Sequence, residues 1–161
     1  MTEETERTKK GFGTKVGKFL SGKWHYLIVL VFGLILSVGI WGFLDRTMVG
    51  DDYAFHINRL QSASKGWANG QILPQVDPDA LNGFGYAYNL FYGPLLSYLA
   101  AGLQALIVNW AIAINIVLVI CMLVSGIWMC YAVQRISQNR VLAALVGIIY
   151  MAAPYHLTDL Y

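Results

Sequence analysis

The chain has 161 residues, 57% of them hydrophobic and 12% charged, with a mean hydropathy of +0.53. A water-soluble domain of this size carries about 25% charged residues, so the composition excludes an ordinary soluble domain and predicts an all-α, polytopic membrane protein. The formal charge of +2 hides a segregation: Arg7, Lys9, Lys10, Lys15, Lys18 and Lys23 precede the first apolar run, whereas Asp51, Asp52, Asp77 and Asp79 follow it.

In chain order, residues 1–23 form a basic, glycine-containing tail, flexible or lying on anionic headgroups. Residues 24–44 supply the ~20 apolar positions that a crossing helix needs. A basic flank before such a run places the N-terminus in the cytoplasm. A cleaved signal peptide is the competing reading. Tyr26–Leu44 is longer than an ordinary signal core, however, and Leu44-Asp45-Arg46 lacks the small-residue cleavage pattern. Residues 45–109 are expected to be an external loop with a helix near 51–68, opened by an Asp N-cap and closed at Asn69-Gly70. Pro74, Pro78 and Gly83-Phe84-Gly85 mark extended loop within it.

Three apolar stretches follow, Leu90–Val108, Trp110–Val133 and Val141–Tyr155. If all three cross, Arg135 and Arg140 lie outside, against the positive-inside rule. The stretch 90–108 is also the most interrupted, by Gly93, Pro94, Ser97, Gly102 and Gln104. It is therefore assigned as a juxtamembrane helix. Transmembrane helices at 110–133 and 141–156 then flank a cytoplasmic loop, 134–140, and residues 157–161 begin a second external loop. Cys121 and Cys130 fall in one apolar run and point in different directions, so no disulfide or redox role is read from them.

Chemistry concentrates in the first external loop. At ~100° per residue, Asp52, His56 and Arg59 share a stripe about 60° wide. Tyr53, Ile57, Leu60 and Trp67 form an apolar stripe about a quarter-turn away, suited to lying on the membrane. Arginine binds phosphate oxygens in a bidentate manner. An Asp can take a proton or ligate a divalent cation, and His can do either or donate to phosphate. The alternative is a solvated helix face, with Asp51 or Asp52 serving only as a cap. Asp77 and Asp79 either belong to a turn around Pro78 or join an acidic site. Phe84, Tyr86, Tyr88, Phe91 and Tyr92 are either an interfacial belt or a surface for a sugar ring or lipid tail. There is no P-loop, dinucleotide fingerprint or zinc-type Cys/His spacing, and no nucleic-acid partner is expected.

Three segments carry a family resemblance. These are Gly-Asp-Asp-Tyr-Ala-Phe-His-Ile-Asn-Arg, Asn-Gly-Phe-Gly-Tyr-Ala-Tyr-Asn-Leu-Phe-Tyr-Gly-Pro-Leu, and Ala-Pro-Tyr-His-Leu-Thr-Asp-Leu-Tyr. From Trp24 to Tyr161 the chain resembles GT-C-type polytopic membrane glycosyltransferases. Within them it looks most like the bacterial "6-pyruvoyl-tetrahydropterin synthase-related" and YfhO-like membrane proteins, a label that implies no pterin chemistry. The resemblance implies transfer of a sugar from a polyprenyl-phosphate donor in cell-envelope glycan assembly. It places the first-loop acid at Asp51 or Asp52, as general base or as part of a divalent-cation site, with Asp52 the metal candidate. Asp159 would match the acid of the second external loop. His56 and Arg59 would sit at the phosphate, and Tyr86, Tyr88 and Tyr92 would line the substrate site. Members of those groups continue through many more spans, so a fragment inactive by itself is expected, its partners being membrane lipid and the remaining transmembrane segments of a longer chain. Two other classes compete: a non-enzymatic glycolipid-binding, flippase-like or assembly protein, and a small independent scaffold.

Overall fold

The computed structural model describes the backbone of residues 3–42 and 52–154, and the side chains of residues 22–42 and 52–154. Among the described residues seven helical segments follow one another: α1 (Glu3–Trp41), α2 (Tyr53–Ala68), α3 (Ala80–Gly83), α4 (Tyr88–Phe91), α5 (Leu95–Ile107), α6 (Trp110–Ser137) and α7 (Arg140–Met151). The described residues are all-helical, save for one isolated antiparallel bridge between Asp77 and Tyr86.

Among the described residues, two helices are long and apolar enough to cross a membrane: Gly22–Trp41 within α1 and Trp110–Ser137. At ~1.5 Å per residue α6 is about 42 Å long, enough for a hydrocarbon core of ~30 Å with tilt. α5 has 13 residues and α7 has 12, so each spans only about 20 Å. α7 ends at Met151, before Pro154, whose ring disfavours helix in the residue ahead of it. The described third apolar helix is thus shorter than the 141–156 read from hydropathy. The basic segment expected to be flexible or surface-lying is helical in backbone, joining the apolar run across a break at Lys23 (φ −126°, ψ 18°).

The chain divides into two compact units. The first comprises residues 1–35 and 123–152, bringing together parts of α1, α6 and α7 through small residues. Val29, Cys130, Ala143 and Met151 are fully buried there. Gly147 lies so close to α6 that a Cβ on it would stand 3.0 Å from the Gly126 carbonyl oxygen and 3.1 Å from Cys130 Cβ. Gly126 in turn leaves the space that the Met151 side chain fills. Small residues that let helix backbones approach are the usual solution where both partners are apolar and lipid offers no hydrophobic drive. Asn139 caps α7, its Oδ1 accepting from the amides of Val141 (3.0 Å) and Leu142 (3.1 Å), which explains the tight turn between α6 and α7.

The second unit comprises, among the described residues, 36–42, 52–122 and 153–154. Its centre is α2 against α5 and the start of α6. α2 buries Arg59, Ser62, Ala63 and Gly66, at i, i+3, i+4 and i+7 spacing, with Leu60 next to Arg59, and α5 offers Ser97, Ala100 and Ala101. Leu60, Ala63, Ala100, Ala101 and Val117 form the buried cluster, edged by Trp67, Tyr98, Leu103, Trp110 and Ile114. The Tyr53–Ile57–Leu60–Trp67 stripe, expected to lie on lipid, is therefore corrected in part: Leu60 and Trp67 pack on protein. A helix beside two other apolar helices loses more apolar area to them than to a headgroup layer. Pro74 anchors the loop after α2, its carbonyl accepting from Tyr98 Oη (2.9 Å) and Asn89 Nδ2 (3.2 Å).

Candidate functional site

Asp52 sits at the N-cap position of α2 and is exposed, yet its side chain makes no capping hydrogen bond. The helix is started instead by the His56 amide, which donates to the Asp52 carbonyl at 3.0 Å. The Asp52 carboxylate is thus not consumed by the capping role that a cap-only reading requires. One turn on, His56 is exposed as a residue, although its ring is partly shielded by Phe55 (5.7 Å between centroids) and by Arg59, whose Nη1 is 3.5 Å from His56 Nδ1. Burial of its ring lowers its pKa from 6.5, the Arg59 charge lowers it further, and Asp52 pulls the other way.

Arg59 behaves differently from the other two members of the stripe. It is only 6% exposed. Its Nη2 donates to the Gly93 carbonyl at 3.0 Å, and its Nη1 stands 3.5 Å from His56 Nδ1. Its guanidinium carbon lies 5.2 Å from the centre of the Tyr92 ring and 5.9 Å from that of Phe55, both within cation–π reach. Its Nε is buried with no hydrogen-bond partner. Among the described residues no carboxylate pairs with it; the ion pairs found there join Lys65 to Asp77 and Asp79. A buried, formally unpaired charge with an unmet donor is costly unless something anionic approaches it.

The aromatic residues gather around the same point. Phe55 contacts Tyr92 (5.0 Å between centroids), Tyr88 (5.5 Å) and Tyr86 (6.4 Å), and the Tyr86 ring lies 4.5 Å from that of Tyr88, tilted by 55°. The structure therefore brings together His56, Arg59, Tyr86, Tyr88 and Tyr92, with Asp52 at the open end of the same helix. Asp51 and Asp159 lie outside the described residues. Two members were missed in the sequence. Phe55, four residues before Arg59 and so on the same helix face, was legible by spacing. The Gly93 carbonyl was not, because nothing local links it to α2.

Asp77 and Asp79 take the turn role rather than joining this site: Asp77 Oδ1 accepts from the Asp79 amide at 3.0 Å, and both carboxylates face Lys65. As for a divalent cation, Asp52 and His56 supply at most two ligands, beside a guanidinium that repels positive charge. Among the described residues no group of three or more His, Cys, Asp or Glu side chains gathers to hold a metal. The described residues do not fit a cation site.

No family model matches the chain, and no solved structure matches it. The chain is similar to a protein of Lactococcus lactis subsp. cremoris (strain MG1363), described as uncharacterized, at 29% identity over 144 residues. The match covers 89% of this chain but 23% of that protein, so the chain spans under a quarter of the length of the relative it matches.

Proposed function

We propose that the chain is the N-terminal part of a GT-C-like, multi-pass cell-membrane glycosyltransferase, with its N-terminus in the cytoplasm and α2 outside. It moves a sugar from a polyprenyl-phosphate donor. The observation that carries this reading is the Arg59 guanidinium, buried among Phe55 and Tyr92 with an unmet N–H and no carboxylate partner among the described residues. Such a group suits a phosphate oxygen. His56 beside it can donate a second hydrogen bond, and the tyrosine faces suit a sugar ring or the first isoprene units. Asp52, uncommitted to the helix cap, is the group free to accept a proton from an attacking hydroxyl.

The test is Asp52→Ala in a full-length version of the protein, assayed for sugar transfer and for membrane insertion. Transfer should be lost and insertion kept; retained transfer sinks the assignment. A second reading, a glycolipid-binding protein without chemistry, is favoured by the exposure of Asp52. It expects Arg59→Gln to weaken lipid binding while Asp52→Ala is tolerated.

A further inference from the structure

The loop between Asp77 and Tyr86 is closed and stiff. The two residues exchange backbone hydrogen bonds of 2.9 Å, and the Gly85 amide donates to the Ala80 carbonyl at 2.9 Å. At its tip Leu81 and Asn82 hold left-handed backbone (φ 52° and 59°), followed by Gly83 and Gly85 at φ 92° and 79°. A left-handed leucine is unfavourable. What this conformation presents is Phe84, 92% exposed, with Leu81 three residues before it, also exposed. Further on, Phe91, Leu95, Leu99 and Leu106 are exposed as well.

From Ala80 to Gln134 the chain contains no Asp, Glu, Lys or Arg. A protein–protein contact has a polar, usually charged rim, whereas a lipid-facing surface excludes charge and accepts aromatic rings at headgroup depth. α5 also runs, through Val108 and Asn109 alone, into α6, which is long enough to cross. We infer that the Phe84 loop is a membrane anchor, inserted at the headgroup level of the leaflet that α6 enters. Lipid-exposed irregular backbone is excluded from the hydrocarbon core, which limits the loop to headgroup depth. The inference rests on the membrane reading of α6 and is independent of sugar transfer.

The test uses the whole chain in phosphatidylcholine–phosphatidylglycerol vesicles, in a Cys121→Ala, Cys130→Ala background. An environment-sensitive fluorophore is placed on Phe84→Cys, on Val124→Cys in α6, or on Ala68→Cys at the exposed end of α2. Nitroxide-bearing lipids then quench it from near the headgroup or from deep in the acyl chains. The expected pattern is loss of emission at 84 with the shallow quencher, loss at 124 with the deep one, and neither at 68. Position 84 behaving like 68 while 124 is quenched overturns the anchor and leaves the membrane reading standing. Blue-shifted but unquenched emission at 84 also overturns it, pointing to a protein partner or second copy. If 124 escapes both quenchers, the membrane reading falls and the anchor with it.

Discussion

Arg59 is charged where water scarcely reaches, and its neighbours compensate that charge only partly. Two aromatic faces and one carbonyl oxygen hold the guanidinium, but Nε is left over. The cost of such an orphan donor is ~1–3 kcal/mol. The sensitive reporter of this arrangement is His56, within 3.5 Å of Nη1. Its imidazole should titrate below 6.5 in NMR, since burial and then the Arg59 charge disfavour the imidazolium. Arg59→Gln should move the midpoint up towards 6.5, and Asp52→Asn should move it further down, because Asp52 favours the charged ring. A wild-type midpoint at or above 6.5 would mean that the ring is not shielded beside the guanidinium as described.

At the scale of elements, α2 is held by how closely it can be approached. Gly66 lies against the Pro74 ring, and a Cβ there would collide with it. Pro74 is itself fixed by Tyr98 and Asn89, so it cannot step aside without breaking two hydrogen bonds. Gly66→Ala should therefore destabilise the chain in micelles by ~1–3 kcal/mol, the usual cost of overpacking. Gly102→Ala in α5 is the matched control. A Cβ there meets nothing within 4 Å, so the substitution should be neutral or stabilising by up to ~1 kcal/mol from helix propensity. Equal effects of the two in a denaturant titration would show that α2 and its loop do not pack as described. The spacing of Arg59, Ser62, Ala63 and Gly66 was legible as one face of a helix. That this face would be buried was not, because a stripe containing an arginine and a serine has no strong apolar signature.

For the molecule as a whole, what matters is which ends of the helices share a side. α6 ends and α7 begins with Arg135 and Arg140, joined by the turn that Asn139 caps. Positive charge at that turn favours the cytoplasm, which α5 permits by being only 13 residues long. A cysteine at Gln138, exposed in that turn, should resist an impermeant maleimide on intact cells and react once the membrane is opened. Labelling from outside would invert α6.

Charge segregation and hydropathy by themselves determined the helical class, the apolar segments of α1 and α6, and the helix near 51–68. Each rests on residues adjacent in the chain, whose periodicity and transfer cost are local properties. Tertiary structure decided the rest. It turned the Leu60–Trp67 stripe onto α5 and α6, and it sank Arg59 among rings while leaving Asp52 and His56 exposed. It also supplied, thirty-four residues away, the Gly93 carbonyl that Arg59 grips. A buried guanidinium is stabilised by whatever acceptor and rings the fold carries to it, and a backbone carbonyl has no sequence signature. The Asp52–Arg59 stripe was therefore visible as a spacing, and became a site only once α5 and the tyrosine loop closed around one end of it.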